Sequence, residues 1–256
     1  MRLFKRNKVD FFIVGAQKSG TSALDYYFRQ HPNIEMPKSK KELHFFDEDE
    51  LFQNKKISYS ALEKYFQFKD SKISGEATPI YMYWNYAIER IKNYNSEAKI
   101  IVILRNPVER AFSHYNMEVS KAKENLEFFD AVTNEENRIS KINPDSLQHR
   151  IYSYKTRGLY YKQIQNIYNH FSSEQVCVIK YENFLNNQKL ILHELFNFLN
   201  VDPRVADNLK RKEIYKIPYK NEIDHDAKNY LYRFFKSDIE KLENLLQWDC
   251  SDWKIN

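Results

Sequence analysis

The feature that most constrains this chain is a glycine-bounded loop between an apolar strand and an amphipathic helix. The apolar run Phe11–Val14 ends at Gly15, the loop covers Gly15–Ser22, and apolar residues recur at helical spacing over residues 23–28. Continuous apolar runs are typical of parallel strands that are covered on both faces. Backbone N–H groups at a helix N-terminus, together with the helix dipole, favour an anion. The unit therefore predicts an α/β fold that carries a phosphate-binding loop.

Composition sets the broad class of the chain. With 256 residues, of which 42% are hydrophobic and 16% aromatic, it can bury a large core, so we expect one folded domain over residues 1–256. A net charge of +5 without a long Lys/Arg tract suits an anionic small ligand better than a nucleic acid. The basic N-terminus lacks a long apolar stretch, so we expect no signal peptide, no membrane span and a cytoplasmic location.

Strands alternate with helices along the chain, which indicates a mostly parallel sheet flanked by helices. The predicted strands cover residues 11–14, 33–36, 72–75, 99–104 and 175–180. The predicted helices cover residues 23–28, 59–68, 86–93, 107–123, 126–140, 160–171, 188–199 and 226–246, and residues 141–158 read as a polar, irregular connection.

The loop departs from that of a nucleotide triphosphatase. Gly15 and Gly20 have the Walker A spacing, but Thr21 stands where the phosphate-binding lysine belongs, and Lys18 lies inside the loop instead. The strand 99–104 is followed by Arg105 rather than by an aspartate. The fold is expected to be P-loop NTPase-like, but the loop does not favour ATP hydrolysis.

The sequence GAQKSGTSAL resembles the 5′-phosphosulfate loop of sulfotransferases that use PAPS (3′-phosphoadenosine 5′-phosphosulfate). It is most similar to the carbohydrate branch, of the heparan sulfate N- and 3-O-sulfotransferase type. The resemblance implies that PAPS is the co-substrate, that PAP (3′,5′-adenosine diphosphate) is the product, and that no metal is required. It also implies that the donor is bound by Gln17, Lys18, Ser19, Gly20, Thr21 and Ser22.

A second anchor follows the strongest strand. Arg105 stands at the carboxyl end of that strand, where open α/β sheets bind ligands, and Ser113 lies eight residues further on in a predicted helix. The segment resembles the family's 3′-phosphate site, and a planar guanidinium can donate two bonds to one phosphate. The resemblance adds Arg157 and Tyr160 near the nucleotide and, from a loosely similar basic loop, Lys212 and Lys216 as further donor contacts.

The segment Lys41–Asp47, with the sequence KELHFFD, resembles the one that supplies the family's general base. The resemblance assigns this role to Glu42, with His44 in support, and gives Lys18 the stabilisation of the leaving phosphate. An extended segment would project Glu42 and His44 to the same side. Ala77 stands where the heparan sulfate enzymes usually carry a lysine, which makes Glu76 a secondary candidate for contact with the acceptor.

These features predict transfer of a sulfuryl group from PAPS to a hydroxyl or amine, with a glycan or glycolipid as acceptor. Two alternatives stay open, a P-loop kinase that uses ATP and a non-catalytic nucleotide- or glycan-binding module. No metal site is expected, because the seven histidines show no convincing ligand spacing. The two cysteines do not require a disulfide, and Cys177 lies in an apolar run that is typical of a core thiol.

Overall fold

The fold is described from a computed structural model that covers residues 7–53, 56–140, 146–211 and 222–254. The chain packs as two compact units. The first consists of residues 1–104 and 166–214, and the second of residues 105–165 and 215–256. The single domain expected over residues 1–256 stays a prediction.

The first unit contains a five-stranded sheet in which every strand pair is parallel. Its strands are β1 (Phe11–Gly15), β2 (Ile34–Glu35), β3 (Ile73–Ala77), β4 (Lys99–Leu104) and β5 (Val176–Lys180). Their order is β2-β3-β1-β4-β5, so β1 lies in the centre of the sheet. The predicted parallel sheet is confirmed, and the loop after β1 begins at the middle of its carboxyl edge.

The α-helices of the described residues account for about half of the described chain outside the sheet. They are α1 (Thr21–Phe28), α2 (Ser60–Glu63), α3 (Ala87–Tyr94), α4 (Pro107–Ser120), α5 (Phe128–Thr133), α6 (Glu135–Ile139), α7 (Leu147–Tyr152), α8 (Tyr160–His170), α9 (Tyr181–Asn186), α10 (Gln188–Phe198) and α11 (His225–Leu246). The first unit holds α1 to α3, α9 and α10, the second holds α4 to α7 and α11, and α8 contributes residues to both.

The core of the first unit forms where α1 and α10 cover the sheet. Phe11 of β1 packs edge to face on Phe28 of α1, and Phe28 contacts Phe196 of α10. Phe11 also determines which residue can stand opposite it on β3. This residue is Gly75, because a Cβ atom there would lie 1.9 Å from the Phe11 ring. This close approach requires glycine, and it fixes the register of β3 beside β1.

Two features of the second unit differ from the sequence prediction. The helix expected over residues 126–140 is divided into α5 and α6 at Asn134, whose side chain and backbone N–H both donate to the Asp130 carbonyl at 3.0 Å. The connection predicted as irregular contains α7, which starts where the Ser146 hydroxyl accepts from the His149 N–H at 3.1 Å.

In the first unit, one helix is also shorter than the sequence predicted. The pattern over residues 59–68 forms only the short α2, after which the chain turns and Phe68 adopts a left-handed φ of 50°. The backbone N–H groups of Gln67 and Phe68 instead donate to the Glu35 carboxylate. A long-range partner therefore replaces the helical one.

Candidate active site

The phosphate loop joins β1 to α1 in the conformation that its glycines permit. The Ala16 N–H donates to the Ile103 carbonyl of β4 at 2.8 Å, which holds the start of the loop at the sheet edge. Lys18 and Gly20 then adopt left-handed φ angles of 68° and 100°. A Cβ atom on Gly20 would lie 2.9 Å from the Tyr181 ring, so this position accepts no side chain without strain. Such a turn before a helix exposes backbone N–H groups that can receive an anion.

The predicted general base lies in a row of alternating charges. The two oxygens of Glu42 meet different cations: Oε1 lies 3.2 Å from Lys41 Nζ, and Oε2 lies 3.4 Å from His44 Nε2. The other ring nitrogen of His44 lies 2.9 Å from Oδ2 of Asp47, whose side chain has no exposed surface. Within the first unit, Glu42 and His44 are thus in contact, and Asp47 lies on the other side of the imidazole.

These contacts set the protonation states of the row. Burial alone would raise the pKa of Glu42, but the hydrogen bond of His44 and the charge of Lys41 outweigh it and lower that pKa. Burial alone would lower the pKa of His44, but its bonds to Asp47 and Glu42 raise it to about 9. A neutral imidazole has one N–H, so only the imidazolium can donate to both carboxylates at once. Near neutral pH, Glu42 is therefore an ionised carboxylate, and the charged His44 ring holds this carboxylate in place.

The segment Lys41–Asp47 is not extended, so the alternating arrangement that an extended chain would give does not apply. His44 has a left-handed φ of 55°, and the chain bends there. The bend is held from the end of β3, because the Leu43 N–H donates to Glu76 Oε1 at 3.1 Å and the His44 N–H to Thr78 Oγ1 at 3.4 Å. The Thr78 hydroxyl in turn donates to the same Glu76 oxygen.

The Glu76 side chain, which accepts from the Leu43 N–H, is wholly buried. Burial raises the pKa of Glu76 to about 8, against the bonds from Thr78 and Leu43 that lower it. A carboxyl without exposed surface does not suit the acceptor contact suggested from sequence. Its position instead fits a role in holding the backbone beside Glu42.

Tyr81 also holds the segment Lys41–Asp47 by hydrogen bonds to its backbone. Its hydroxyl accepts from the Phe45 N–H at 3.0 Å and from the Phe46 N–H at 3.5 Å, and its side chain is wholly buried. Four consecutive backbone N–H groups of the segment are thus held by side chains from residues 76–81. This pattern was not expected from sequence, since it joins residues more than thirty positions apart.

The segment also reaches the phosphate loop. Lys41 Nζ donates to Ser22 Oγ at 2.6 Å, and Ser22 is the second residue of α1. The structure therefore places the loop and the segment of the predicted base side by side within the first unit. Lys41 and Asp47 are the charged residues that sequence reasoning left out of the site. Asp47 could have been noticed from its position three residues after His44.

The second predicted anchor lies in the second unit. Arg105 follows the last residue of β4 directly, as expected, and its Nη2 lies 3.4 Å from Glu109 Oε2. Ser113 is buried on α4. The Tyr160 hydroxyl donates to the Arg105 carbonyl at 2.9 Å, and the Tyr160 N–H donates to Asp238 at 2.7 Å. Tyr160 therefore holds the backbone of Arg105.

The remaining predicted donor contacts divide into two cases. Arg157 is buried and donates to Ser153 Oγ at 2.9 Å and to the Arg150 carbonyl at 2.8 Å, so it braces the turn before α8. Lys212 and Lys216 lie outside the described residues.

The cysteines and the other possible metal ligands add no further site among the described residues. Both cysteines are described and both are free: Cys250 is buried, and Cys177 is half-buried against the core of the first unit. In the part of the chain that is described, no group of three or more His, Cys, Asp or Glu is placed to hold a metal ion. None of the helices within those same ranges is both long and apolar enough to cross a membrane. The cytoplasmic location stays a prediction.

Comparison with known proteins gives consistent matches. The model of the sulfotransferase domain family matches residues 8–239. The crystal structure of a sulfotransferase from Alicyclobacillus acidocaldarius is 31% identical and superposes with a TM-score of 0.81, covering 98% of this chain and 99% of that one. This likeness confirms the predicted P-loop NTPase-like fold.

Two curated relatives are longer than this chain. A membrane-associated sulfotransferase of Dictyostelium discoideum is 25% identical over 94% of this chain and 65% of its own length. Human heparan sulfate glucosamine 3-O-sulfotransferase 5 is 28% identical over 76% of this chain and 54% of its own length. The matched region thus spans between about half and two thirds of these relatives.

Proposed function

Because the chain belongs to the sulfotransferase family, we propose that it transfers a sulfuryl group from PAPS to a hydroxyl or amine of an acceptor. One observation carries this proposal. An ionised carboxylate, Glu42, is held by the His44 imidazolium and stands beside a phosphate loop, to which Lys41 connects it. A proton acceptor beside an anion-binding loop is what an in-line sulfuryl transfer needs.

The loop is proposed to bind the 5′-phosphosulfate of the donor. The loop leads directly into α1, a helix N-terminus favours an anion, and the hydroxyls of Thr21 and Ser22 add donors. Lys18, inside the loop, is proposed to stabilise the charge that develops on the leaving phosphate oxygen. The full set of proposed contacts is Gln17, Lys18, Ser19, Gly20, Thr21 and Ser22.

Arg105 and Ser113 are proposed to bind the 3′-phosphate. A guanidinium suits a phosphate because it can donate two parallel hydrogen bonds. Tyr160 supports this role by fixing the Arg105 carbonyl. Contacts from Lys212 and Lys216 stay predictions. We propose that PAP leaves as product and that the reaction requires no metal.

The proposed sulfuryl transfer involves only PAPS, the acceptor and Glu42 as the proton acceptor. The acceptor oxygen or nitrogen attacks sulfur while its proton passes to Glu42. The bond between sulfur and the bridging oxygen breaks, and its electron pair stays on the phosphate of PAP. The His44 imidazolium, itself held by Asp47, orients Glu42 during the transfer.

The acceptor is proposed to be a saccharide or glycoconjugate, such as a glycan or glycolipid. This proposal rests on the similarity to the human relative, whose name specifies glucosamine of heparan sulfate. Ala77, the last residue of β3, carries no charge at the position where, by the resemblance, the heparan sulfate enzymes usually carry a lysine. The acceptor is therefore not proposed to be heparan sulfate itself.

Donor binding provides the first test. We expect PAP to bind and to raise the unfolding temperature, since a ligand that binds only the folded state stabilises it. A transfer assay with labelled PAPS over a panel of glycans, glycolipids and phenols then identifies the acceptor. Stabilisation by ATP with Mg²⁺ but not by PAP would contradict the proposal and favour a kinase.

Replacing the base provides the second test. Glu42→Gln is expected to bind PAP like the wild type but to lose about 10²- to 10⁴-fold in kcat, the usual share of a general base. Glu50→Gln, on an exposed carboxylate of the turn Asp49–Phe52, is the matched control and should keep full activity. Equal activity of both variants would show that Glu42 is not the base.

A further inference from the structure

Lys41 joins two parts of the proposed site that are otherwise separate in sequence. Its ammonium lies 2.6 Å from Ser22 Oγ of the phosphate loop and 3.2 Å from Glu42 Oε1. The side chain is 28% exposed, so the ammonium remains accessible from solvent. An ammonium carries three N–H donors, and the two contacts that it makes here leave a third for a ligand atom.

The location matters because of the path that a sulfuryl group must follow. Given the proposed function, the sulfonate starts on the phosphate loop and moves to an acceptor atom that Glu42 deprotonates. Lys41 touches a group at each end of this path. A sulfonate is an anion, and Glu42 is a second anion near which it must pass. Like charges at short range repel, and a cation in contact with both reduces this repulsion.

We propose that the Lys41 ammonium binds the sulfonate of the donor and screens it from Glu42 during transfer. The inference rests on the proposed function and makes Lys41 a further catalytic residue, distinct from Lys18 on the leaving phosphate. The acceptor proton passes to Glu42, the new bond to sulfur forms, and the bond from sulfur to the bridging oxygen breaks with its electrons on PAP.

The comparison of two nucleotides tests this role directly, because PAPS carries the sulfonate and PAP does not. Their affinities are measured by calorimetry without acceptor, for the wild type and for Lys41→Met. We expect Lys41→Met to lose about tenfold or more in affinity for PAPS, as for a lost charge-assisted hydrogen bond, and to bind PAP within about twofold of the wild type. The turnover rate should fall as well, and Lys41→Arg should restore part of both losses.

Lys40→Met is the matched control. Lys40 is the neighbouring, exposed lysine, and its Nζ donates to the Leu43 carbonyl at 3.4 Å. This variant should leave both affinities and the rate unchanged. Unfolding curves of all variants confirm that each is folded.

Two results would overturn the inference. Equal losses of PAP and PAPS affinity in Lys41→Met would mean that the lysine only supports the loop through Ser22. Unchanged affinities for both nucleotides, with the acid limb of the rate profile moved to higher pH, would mean that Lys41 acts only by lowering the pKa of Glu42. Failure of the wild type to bind PAP is a separate result, since it rejects the proposed function itself.

Discussion

Tyr81→Phe tests whether the catalytic segment, as we propose for Lys41–Asp47, is held in place from the end of β3. The substitution removes one oxygen and keeps the ring, so the packing of Tyr81 against Phe46 is retained. In the wild type the Tyr81 hydroxyl accepts from the Phe45 N–H at 3.0 Å and from the Phe46 N–H at 3.5 Å, and the substitution leaves both N–H groups without this acceptor. Two buried donors next to His44 would then lack the partner that fixes them.

The expected cost follows from this geometry. An unpaired buried donor costs about 1–3 kcal/mol, and the bond at 3.5 Å adds little because of its length. No cavity is created, so the loss of stability should be about 2 kcal/mol, or a fall of roughly 4–8 °C in Tm for a chain of this size. A catalytic segment displaced by about 1 Å loses up to about 10²-fold in rate, so kcat should fall by about ten- to a hundredfold.

Tyr94→Phe is the matched control for this experiment. Tyr94 is also wholly buried, and its hydroxyl accepts from the Val9 N–H at 3.0 Å, two residues before β1. Both variants should lose similar stability in urea unfolding, but only Tyr81→Phe should lose kcat with PAPS at saturation. If the two variants kept the same kcat, the bonds of Tyr81 would be structural only, and the reasoning on the segment would be refuted.

Two further predictions concern the charges of the site. Asp47→Asn should lower the pKa of His44 from about 9 towards its ordinary 6.5, measured by NMR titration of the ring proton, because the carboxylate that favours the imidazolium is gone. In the wild type this raised pKa stabilises the folded state fully below about pH 6.5, and the stabilisation is lost as the pH rises through about 9, whereas an unchanged His44 titration in Asp47→Asn would contradict the assignment. Arg105→Ala should weaken PAP binding by about ten- to a hundredfold, the effect of losing charge-assisted bonds, but should leave the affinity for adenosine 5′-phosphosulfate, which has no 3′-phosphate, unchanged. Equal losses for both nucleotides would mean that Arg105 does not bind the 3′-phosphate.

The parts of the molecule that sequence predicted well are those fixed by local pattern. The apolar runs became β1 and β4 in the sheet, Gly15 ends β1, and Gly20 stands directly before α1. Pro107 begins α4, as a proline in the first turn should, with the Asn106 side chain accepting from the Val108 N–H at 3.0 Å. Each of these signals is contained within a few residues, so a single sequence can show it.

The catalytic segment could not be predicted in the same way. Its residues were identified by resemblance, but the sequence did not determine its shape, and the chain bends at His44. The bend depends on bonds from Glu76, Thr78 and Tyr81, which are distant in sequence and lie at or just beyond the end of β3. A short polar stretch has no periodicity that reports such partners.

The alternation of charge along this segment explains how a carboxylate can stay ionised beside an anionic donor. Lys41, Glu42, His44 and Asp47 follow one another in contact as cation, anion, cation and anion. With the imidazolium present, the row sums to zero, so it does not repel the phosphates and sulfonate expected on the neighbouring loop. Loss of the His44 proton would leave the row with a net negative charge and only one donor for two carboxylates. The raised pKa of His44 thus serves both purposes, since it keeps Glu42 oriented and keeps the site compatible with an anionic donor at neutral pH.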